Sequence, residues 1–480
     1  MMEPIFIKRG DQYVEAGAFD LSAFNASPIE PEPPAVETND DLRAAIAAWT
    51  PGGPPILVRA GMYAPIDVSG KHGIEIYGYK DERPLVTGLT AFRRDWKPLT
   101  GRRYIAPYTG FAGRSWHWSA STGPGDAHRR SACPDLFVVR IGDGYAPLRL
   151  VHDEAQLEPG SYMVILAGGD PNRPINVIVD LPEGAALDHI YHAPTPSLFQ
   201  GEADGVRVEG LDFAFCGDTH KGGAFRASGQ SWKFDVRVAH ACVGISMTGS
   251  GHDAGSSTAE GCFQLGWLLD ACHKSAFPNA SARGNNTRFA NGRWEAGGLK
   301  QGQSRGNVFR SFTATNNNGP GDWSDIFCDG TQLLRYIGSG NMAADVQIEH
   351  HMSGGVYRDL DMAGCRPFWL EADRTDDEGR TGPADRAKIA ALWVQSNIFD
   401  TSIIGARFKD VAVGVKVKEH ERRGVVDGCT FDDFAYDNVA TPKQIERMNE
   451  AQIRAAINQG AEPKTVAEWL SVRNTYGASV

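Results

Sequence analysis

Short stretches of alternating apolar and polar residues, separated by bends, recur along most of the chain. After residue 200 each repeat holds a strand, a bend and a second strand, as in GVRVEGLDFAFCG, NVFRSFTATNNNGPGDWSD, GVYRDLDMAG and GVVDGCTFDDF. The repeats follow one another at roughly 20 to 25 residues, the coil length of stacked solenoid repeats. A β-sandwich also has many short strands, but its connections would not give a recurring coil length. The pattern therefore predicts an all-β chain folded as a parallel β-solenoid, or β-helix, whose stacked coils share one core.

The residues before the repeats are predicted to form an arm and a cap. Residues 1–37 end in the Pro/Glu-rich stretch PIEPEPPAVE and are interpreted as an N-terminal arm and linker. Thr38 is the predicted N-cap of a helix over 39–49 that has apolar residues on one face. This helix and the short strands PILVRA, APIDVS, GIEIYG and PLVTG make 38–100 the cap helix and the first β-helix coils.

Two further segments depart from the coil pattern. Residues 101–195 alternate over longer stretches and turn on Gly-Asp-Gly, which predicts a small antiparallel β module inserted between coils. The coil pattern returns over 196–440, the predicted main β-helix with the active site. Residues 441–480 contain TPKQIERMNEAQIRAAINQG and EPKTVAEWLSV, which predict two C-terminal helices. Such helices suit either a cap or an oligomerisation element, so a homo-oligomer stays open.

Composition and charge narrow the classes of partner. The formal net charge is −11 and no basic stripe occurs, which argues against nucleic acid as a partner. The eight cysteines form no CxxC pair and mostly lie in apolar contexts, so buried thiols are expected rather than metal ligands. No stretch is long and apolar enough for a membrane span or a signal peptide. The expected location is the cytoplasm or an assembly such as a virion, unless a leader has been removed.

Four charged residues recur at the coil spacing. Lys300 lies 25 residues before Asp325, Asp325 lies 24 before Glu349, and Glu349 lies 22 before Glu371. Residues one coil apart in a solenoid lie above each other, about 4.8 Å apart in the direction of strand pairing. The four residues are therefore predicted to line one column on an outer face of the β-helix.

The acidic members of this column have two interpretations. Two carboxylates roughly 5 Å apart suit a retaining glycosidase, in which one attacks the anomeric carbon and the other transfers the proton. A register slip of two residues would open the gap to roughly 7 to 9 Å and predict inversion instead. Alternatively, the acids are ordinary solvated side chains of solenoid turns.

The stretch NNNGPGDWSDIFCDG holds both structural and chemical candidates. The asparagines 316–318 are predicted to form an amide hydrogen-bond ladder at a coil bend. Residues 319–321, Gly-Pro-Gly, are expected to make a bend that aims Asp322 and Trp323 outward. Asp322 would then contact substrate, and Trp323 would stack on a sugar ring, with an interior position as the alternative. Asp329 is interpreted as a turn residue.

These residues also carry a resemblance to a known family. The motifs WEAGGLK, NNNGPGDWSD and VQIEHH, in this order, resemble the right-handed parallel β-helix glycosidases of glycoside hydrolase family 120 and related carbohydrate-active β-helix proteins. The resemblance spans roughly residues 38–380 and implies a right-handed, pectate-lyase-like solenoid. It implies Asp325 as the nucleophile and Glu349 as the general acid/base, with Glu295 and Lys300 in the substrate pocket. This family usually carries an aromatic or aliphatic residue where Asp322 stands.

Further substrate contacts are expected beside this pair. His350 and His351 follow Glu349 directly, and Glu371 ends the predicted column. The substrate of such a glycosidase would be an oligo- or polysaccharide, and the two-carboxylate mechanism needs no metal or cofactor.

Two other functions stay open on the same scaffold. A polysaccharide lyase would use Lys300 as the base and Ca²⁺ bound by Glu295 and neighbouring acids, with Arg305 or Arg310 assisting. A non-catalytic glycan-binding β-helix protein, such as a virion component, would use the exposed face alone, since a fold does not settle a function.

Overall fold

The computed structural model describes two units of the chain. In the N-terminal unit, Met1–Pro34, the described residues form an antiparallel pair of strands, Phe6–Arg9 with Gln12–Glu15. The sequence pattern did not predict these strands. The Pro/Glu-rich stretch lies outside the described residues up to position 34. In the second unit, Ala35–Val480, the described residues are 35–110, 136–151, 153–167, 174–217, 222–288, 296–366, 390–421, 424–458 and 472–478.

The second unit is a parallel β-helix, as the sequence predicts. Twenty-seven strands join in one sheet through parallel pairings, and the pairings form three ladders that run along the helix. The longest strand, Ser402–Lys418, bends around the coil and pairs in all three ladders. Each coil therefore contributes one short pairing segment to each face.

The strand bounds follow the three ladders. The first ladder consists of Ile56–Val58, Glu75–Gly78, Arg207–Cys216, Lys233–Ala241, Ala276–Pro278, Val308–Arg310, Gln332–Leu334, Val356–Ala363, Ser402–Lys418, Thr430–Asp432 and Thr475–Tyr476. The second consists of Met62–Tyr63, Leu85–Thr87, Arg207–Cys216, Lys233–Ala241, Thr258–Glu260, Ser281–Arg283, Thr313–Thr315, Ile337–Ser339, Val356–Ala363, Ser402–Lys418 and Ala435–Glu446. The third consists of Ile66–Asp67, Phe199–Glu202, Phe225–Gln230, Val243–Ser250, Leu265–His273, Gly297–Gly302, Asp322–Ser324, Val346–Ile348, Leu392–Val394, Ser402–Lys418 and Ala435–Glu446.

The core runs along the inside of the coils. Inward side chains of successive coils stack on each other, as the rings of Phe277 and Phe309 do at 4.3 Å and those of Phe199 and Phe225 at 5.1 Å. Because a single coil has no second layer against which to bury its inward residues, this stacking supplies the burial that stabilises the fold.

A ladder of buried asparagines holds one bend of the coils in register. Nδ2 of Asn285 donates to Oδ1 of Asn317 at 2.9 Å, and Nδ2 of Asn317 donates to Oδ1 of Asn341 at 2.8 Å. All three side chains are fully buried. The amide ladder predicted at 316–318 is thus confirmed for its central residue.

The inserted module lies between coils and has its own core. Its two sheets are antiparallel apart from one parallel pair, Arg149–Val151 with Ser161–Leu166. The strands are Thr90–Ala91, Lys97–Pro98, Arg103–Pro107, Phe137–Ile141, Gly144–Pro147, Arg149–Val151, Ser161–Leu166, Pro174–Asp180 and Ile190–His192, with 3₁₀ helices at Glu154–Gln156 and Leu187–His189. Phe137–Ile141 and Gly144–Pro147 form the hairpin predicted on Gly-Asp-Gly.

The N-terminal cap follows the prediction. The helix Asn39–Ala48 begins after Thr38, whose Oγ1 accepts a hydrogen bond from the backbone N–H of Asp41 at 3.2 Å. Leu42 and Ile46 are buried against the first coil, so the helix covers the open end of the core.

The C-terminal prediction is wrong at its start. Thr441 and Pro442 are not a helix cap: Ala435–Glu446 is a strand that pairs with Ser402–Lys418 and completes the last coil. The unpaired edge of that coil offers a ladder of hydrogen bonds, which here prevails over the local helix signal. The helix is shorter, Glu450–Asn458. Asn449 and Gln452 cap it reciprocally, each side chain accepting from the other's backbone N–H at 3.0 and 2.9 Å.

The second predicted C-terminal helix, over EPKTVAEWLSV, lies almost wholly outside the described residues. In the parts of the chain that the structure describes, no helix is long and apolar enough to cross a membrane.

Candidate active site

Three successive strands of the third ladder position the candidate residues. Asp322–Ser324 pairs with Val346–Ile348, with Trp323 opposite Gln347. The pairing extends one residue further, because the backbone N–H of Glu349 donates to the carbonyl of Ser324 at 2.9 Å. Asp325 and Glu349 directly follow these paired strands, so they lie one coil apart. The 24-residue spacing between the two acids thus corresponds to one coil of the β-helix, as predicted.

Strand alternation decides which side chains face outward. Leu299, Asp322 and Val346 are opposite one another in the ladder, and Leu299 and Val346 belong to the interior core. Lys300, Trp323 and Gln347 occupy the next position along each strand and therefore point to the outer face. The outer face of this ladder carries the site.

Glu349 is a buried carboxyl group with two hydrogen-bond donors. Its side chain is 6% exposed. Trp323 Nε1 donates to its Oε1 at 2.9 Å, and Gln395 Nε2 donates to its Oε2 at 2.6 Å. Burial first, and then the negative charge of Asp325, raise the pKa of Glu349 above its usual range, whereas the Gln395 donor opposes that rise. The environment thus favours a protonated Glu349, the form that a proton donor needs.

Asp325 is equally buried, at 5% exposed, but has a different partner. Its Oδ2 lies 2.9 Å from Nζ of Lys300 in an ion pair. Its Oδ1 is buried and has no hydrogen-bond partner among the described residues. The ion pair thus holds one oxygen of the Asp325 carboxyl group and leaves the other without a hydrogen-bond partner among the described residues.

Lys300 connects the two acids indirectly. Its Nζ lies 3.9 Å from the ring centroid of Trp323, the same indole whose N–H donates to Glu349. This cation–π contact and the ion pair to Asp325 fix the ammonium between the two. Lys300 is 8% exposed, so water screens its interactions weakly.

The two carboxyl groups and a neighbouring imidazole are close together. One oxygen of Asp325, one oxygen of Glu349 and one ring nitrogen of His350 all lie within 4.8 Å of each other. Nε2 of His350 is 3.8 Å from Oε2 of Glu349. An oxygen–oxygen distance of at most 4.8 Å is compatible with the roughly 5 Å that the sequence spacing predicts.

The same three groups satisfy the spacing for a metal site, but their partners do not favour one. A cation there would meet the ammonium of Lys300, 2.9 Å from Asp325, and would compete with the two N–H donors on Glu349. Three of the four carboxyl oxygens thus already have a positive charge or an N–H donor as partner, so the donor set fits a metal-free site better than Ca²⁺.

The prediction for Asp322 is wrong. Its side chain is 1% exposed and occupies an interior position between Leu299 and Val346, so it cannot contact a substrate outside the coil. Successive residues of a strand point to opposite faces, so Asp322 and Trp323 cannot both be aimed outward. Neither carboxyl oxygen of Asp322 has a hydrogen-bond partner among the described residues, and burial raises its pKa to about 8.

Trp323 faces outward as predicted, but it is not an open sugar platform. It is 2% exposed, and Lys300 covers its ring. Its contribution in this structure is the N–H that it donates to Glu349.

The predicted column does not continue through Glu371. The strand that pairs with Val346–Ile348 is Leu392–Val394, so the ladder step after Glu349 spans 46 residues rather than 22 and ends at Gln395. Sequence spacing missed Gln395 because this ladder step is almost twice as long in sequence as the one before it. Glu371 itself, like Glu295, lies outside the described residues.

The remaining candidates lie around the site. His351 is exposed, and its ring stacks on Phe327 at 5.0 Å, a neighbour that the sequence did not single out. Arg305 pairs with Asp329 at 3.4 Å, and Asp329 is the turn residue that was predicted. Arg310 belongs to the first ladder, on a different face from Lys300. Neither arginine is placed to assist a base at Lys300.

Comparison with known proteins adds several distant structural likenesses. No protein-family model matches the chain, and no curated protein matches it. One similar solved structure is described as XylC in complex with xylose, at 11% identity and a TM-score of 0.49, covering 88% of this chain and 77% of that one. Another is described as a glycoside hydrolase, at 9% identity and a TM-score of 0.43, covering 84% and 90%. A third is the A-module of the mannuronan C-5 epimerase AlgE4 of Azotobacter vinelandii, at 11% identity and a TM-score of 0.32, covering 85% and 94%. Likenesses this distant do not assign an activity.

Proposed function

We propose that the protein is a glycoside hydrolase that retains the anomeric configuration, with Asp325 as the nucleophile and Glu349 as the general acid/base. One observation carries the proposal: two buried carboxyl groups lie on adjacent coils with oxygens within 4.8 Å, and their surroundings differ. The ammonium of Lys300 pairs with Asp325, while burial and the charge of Asp325 raise the pKa of Glu349. A close pair of carboxyls in opposite protonation states is what a retaining mechanism requires.

The chemistry would proceed in two displacements. In the first, a carboxylate oxygen of Asp325 bonds to the anomeric carbon as the bond from that carbon to the leaving oxygen breaks, and Glu349 gives this leaving oxygen its proton. In the second, Glu349, now a carboxylate, takes a proton from water as the water oxygen bonds to the anomeric carbon. The bond to Asp325 breaks, and Asp325 leaves as a carboxylate.

Lys300 and Trp323 would support both displacements. The ammonium pairs with the Asp325 carboxylate before attack and would stabilise it again when it leaves. The indole N–H of Trp323 fixes the orientation of the Glu349 carboxyl group, so that Glu349 donates its proton to the leaving oxygen from a fixed position. Because the site is buried, these interactions would act in a low dielectric.

A lyase reaction on this scaffold has less support. The base in the lyase hypothesis is Lys300, but an ammonium paired with Asp325 at 2.9 Å has no lone pair with which to take a proton. The arginines suggested as its helpers are not beside it. A lyase would be recognised by the ultraviolet absorbance of an unsaturated uronate product.

The proposal is tested by trapping the glycosyl-enzyme. Purified protein is incubated with dinitrophenyl 2-deoxy-2-fluoroglycosides of several common sugars, and peptides are analysed by mass spectrometry. The fluorosugar is expected on the peptide that contains Asp325, and proton NMR of turnover is expected to show the substrate's anomeric configuration in the first product. Label on another residue, or a product of inverted configuration, would overturn the assignment. Asp329→Asn is the matched control, because Asp329 lies in the same stretch but pairs with Arg305.

A further inference from the structure

The turns that follow the site strands form a repeated and unusual structure. Ile326 and Phe327, directly after Asp325, both have left-handed backbone conformations, with φ of 43° and 59°. The same pair of conformations recurs one coil on at His350 and His351, and again at Ser396 and Asn397. Left-handed conformations are costly for residues other than glycine, and most of all for a β-branched one such as isoleucine. Three such turns stacked beside the carboxyl pair therefore indicate a functional role for this backbone conformation.

Hydrogen bonds fix these turns as one stack. The backbone N–H of Phe327 donates to the carbonyl of His350 at 3.0 Å, and that of His351 donates to the carbonyl of Ser396 at 3.2 Å. The side chains stack as well: the rings of Phe327 and His351 are 5.0 Å apart at 28°, and Nε2 of His351 lies 2.9 Å from Nδ2 of Asn397. We call these stacked turns, Ile326–Phe327 with His350–His351 and Ser396–Asn397, the turn stack.

The apolar residues of the turn stack face water. Ile326 is 41% exposed and Phe327 is 44% exposed. Among the described residues seven large apolar side chains are this exposed, and Phe327 is the one with an aromatic ring. An exposed apolar patch that is held rigid next to polar groups is typical of a ligand-binding surface.

We infer that the Phe327 ring, held by His351, is a binding subsite for a sugar ring next to the scissile bond, so that the substrate has at least two sugar units. This rests on the proposed function and extends it from bond type to substrate class. The apolar face of a pyranose ring, with its axial C–H groups, packs on the electron-rich face of an aromatic ring. Phe327 follows the nucleophile by two residues, so a ring bound there lies within reach of the bond that is cut. His351 is exposed and adds a polar group beside the Phe327 ring for the sugar hydroxyls, while Asn397 hydrogen-bonds to the imidazole.

The test compares substrates that do and do not fill this subsite. A glycosyl fluoride has only the sugar that is attacked and a fluoride leaving group, whereas a disaccharide of the same sugar places a second ring beside it. For Phe327→Ala we expect kcat/KM to fall roughly tenfold on the disaccharide and to stay unchanged on the glycosyl fluoride. Phe327→Trp is expected to keep or improve the disaccharide value. Ile337→Ala, an equally exposed apolar residue on the second ladder, is the matched control.

A binding measurement separates this inference from the proposed function. Saturation-transfer NMR is recorded with xylo-, gluco-, manno- and galacto-oligosaccharides of two to four units, on the full chain and on Phe327→Ala. Binding that Phe327→Ala abolishes supports the subsite even if the wild-type protein hydrolyses none of them, and only the proposed function then fails. Hydrolysis or binding that Phe327→Ala leaves unchanged overturns the subsite while the proposed function stands. A change in oligomeric state of Phe327→Ala by size-exclusion chromatography, without a change in sugar binding, would assign the patch to a second copy of the chain and also overturns it.

Discussion

Gln395 donates a 2.6 Å hydrogen bond from Nε2 to Oε2 of Glu349, reaching from the next coil of the third ladder. This donor stabilises the charged form of Glu349 and so opposes the effect of burial on its pKa. The position of Gln395 thus sets how far the pKa of the proposed proton donor can rise. Charge interactions with His350 and Lys300 also lower the pKa of Glu349 and so oppose the effect of burial.

Gln395→Leu should therefore move the pH profile of hydrolysis. The pKa of Glu349 rises further when a donor to its charged form is removed, so the group keeps its proton to higher pH. Because the first displacement needs protonated Glu349, the alkaline limb of kcat/KM against pH is expected to shift upward.

Steady-state kinetics on an aryl glycoside between pH 4 and 10 would measure this shift. Gln444→Leu is the matched control, since Gln444 is an outward glutamine further along the same ladder and donates to Glu446 instead. An alkaline limb that stays in place or moves down in Gln395→Leu would contradict the role of Glu349 as the acid.

Lys300→Met should remove both activity and stability. The variant leaves Asp325 buried without its counter-charge, which is expected to lower kcat/KM by roughly 100-fold and the free energy of unfolding by about 3 kcal/mol. The double variant Lys300→Met with Asp325→Asn should recover most of that stability, because no buried charge is then left unpaired. It should recover no activity.

Chemical denaturation of the two single variants and the double variant gives the coupling energy directly. Lys416→Met is the control for activity, because Lys416 is an outward lysine of the same ladder, is 3% exposed and pairs with Glu446 at 2.8 Å. Stability changes that simply add in the double variant would mean that the ion pair of Lys300 with Asp325 contributes little.

The β-helix fold and the placement of Asp325 and Glu349 on adjacent coils could be predicted from the sequence, because both depend on local spacing. Asp322–Ser324 and Val346–Ile348 belong to adjacent coils with no insertion between them, so 24 residues of sequence become one coil in space. The next step failed because the following strand of the ladder begins 46 residues later, at Leu392, and a recurring spacing does not reveal where a longer interval occurs. Gln395 was missed for the same reason.

Other failures came from choices that local sequence leaves undecided. The prediction that the Gly-Pro-Gly bend aims both Asp322 and Trp323 outward fails because the bend does not fix which of the two points inward. In the structure Asp322 is the inward residue. Pro442 follows a threonine as in a helix start, yet the open edge of the last coil draws that segment into a strand. In each case a tertiary interaction outweighs a local preference.

Asp322 should make the stability of the protein depend on pH. Burial raises its pKa to about 8 in the folded chain, whereas in the unfolded chain it titrates near the usual aspartate value of about 4. Between these values the folded state holds the proton and the unfolded state has lost it. The contribution of Asp322 to the free energy of unfolding is therefore most favourable below about pH 4, and it decreases as the pH rises towards 8.

Asp322→Leu should remove this dependence. Leucine fits the apolar surroundings of Leu299 and Val346, so the variant is expected to be more stable than wild type by on the order of 4 kcal/mol at pH 9, with a much smaller gain at pH 4. Activity should be unchanged, because Asp322 does not reach the outer face. Thermal unfolding midpoints of both proteins across pH 4 to 9 measure the difference, and Asp322→Asn serves as a second variant if leucine is too bulky. A parallel pair of pH curves would show that Asp322 is not protonated in the folded chain.

Asn317→Ala should cost more stability than an ordinary core substitution of its size. Oδ1 of Asn317 accepts from the backbone N–H of Asn285 at 3.0 Å as well as from its side chain, and its own amide donates to Ala282 and Asn341. Removing the side chain leaves several buried polar groups unpaired, and each costs roughly 1 to 3 kcal/mol. A loss of about 4 kcal/mol in the free energy of unfolding is therefore expected. Asn316→Ala, one residue earlier and outside the ladder, is the control and should cost under about 1 kcal/mol. Equal losses in the two variants, measured by urea denaturation, would mean that the amide ladder does not hold the coils in register.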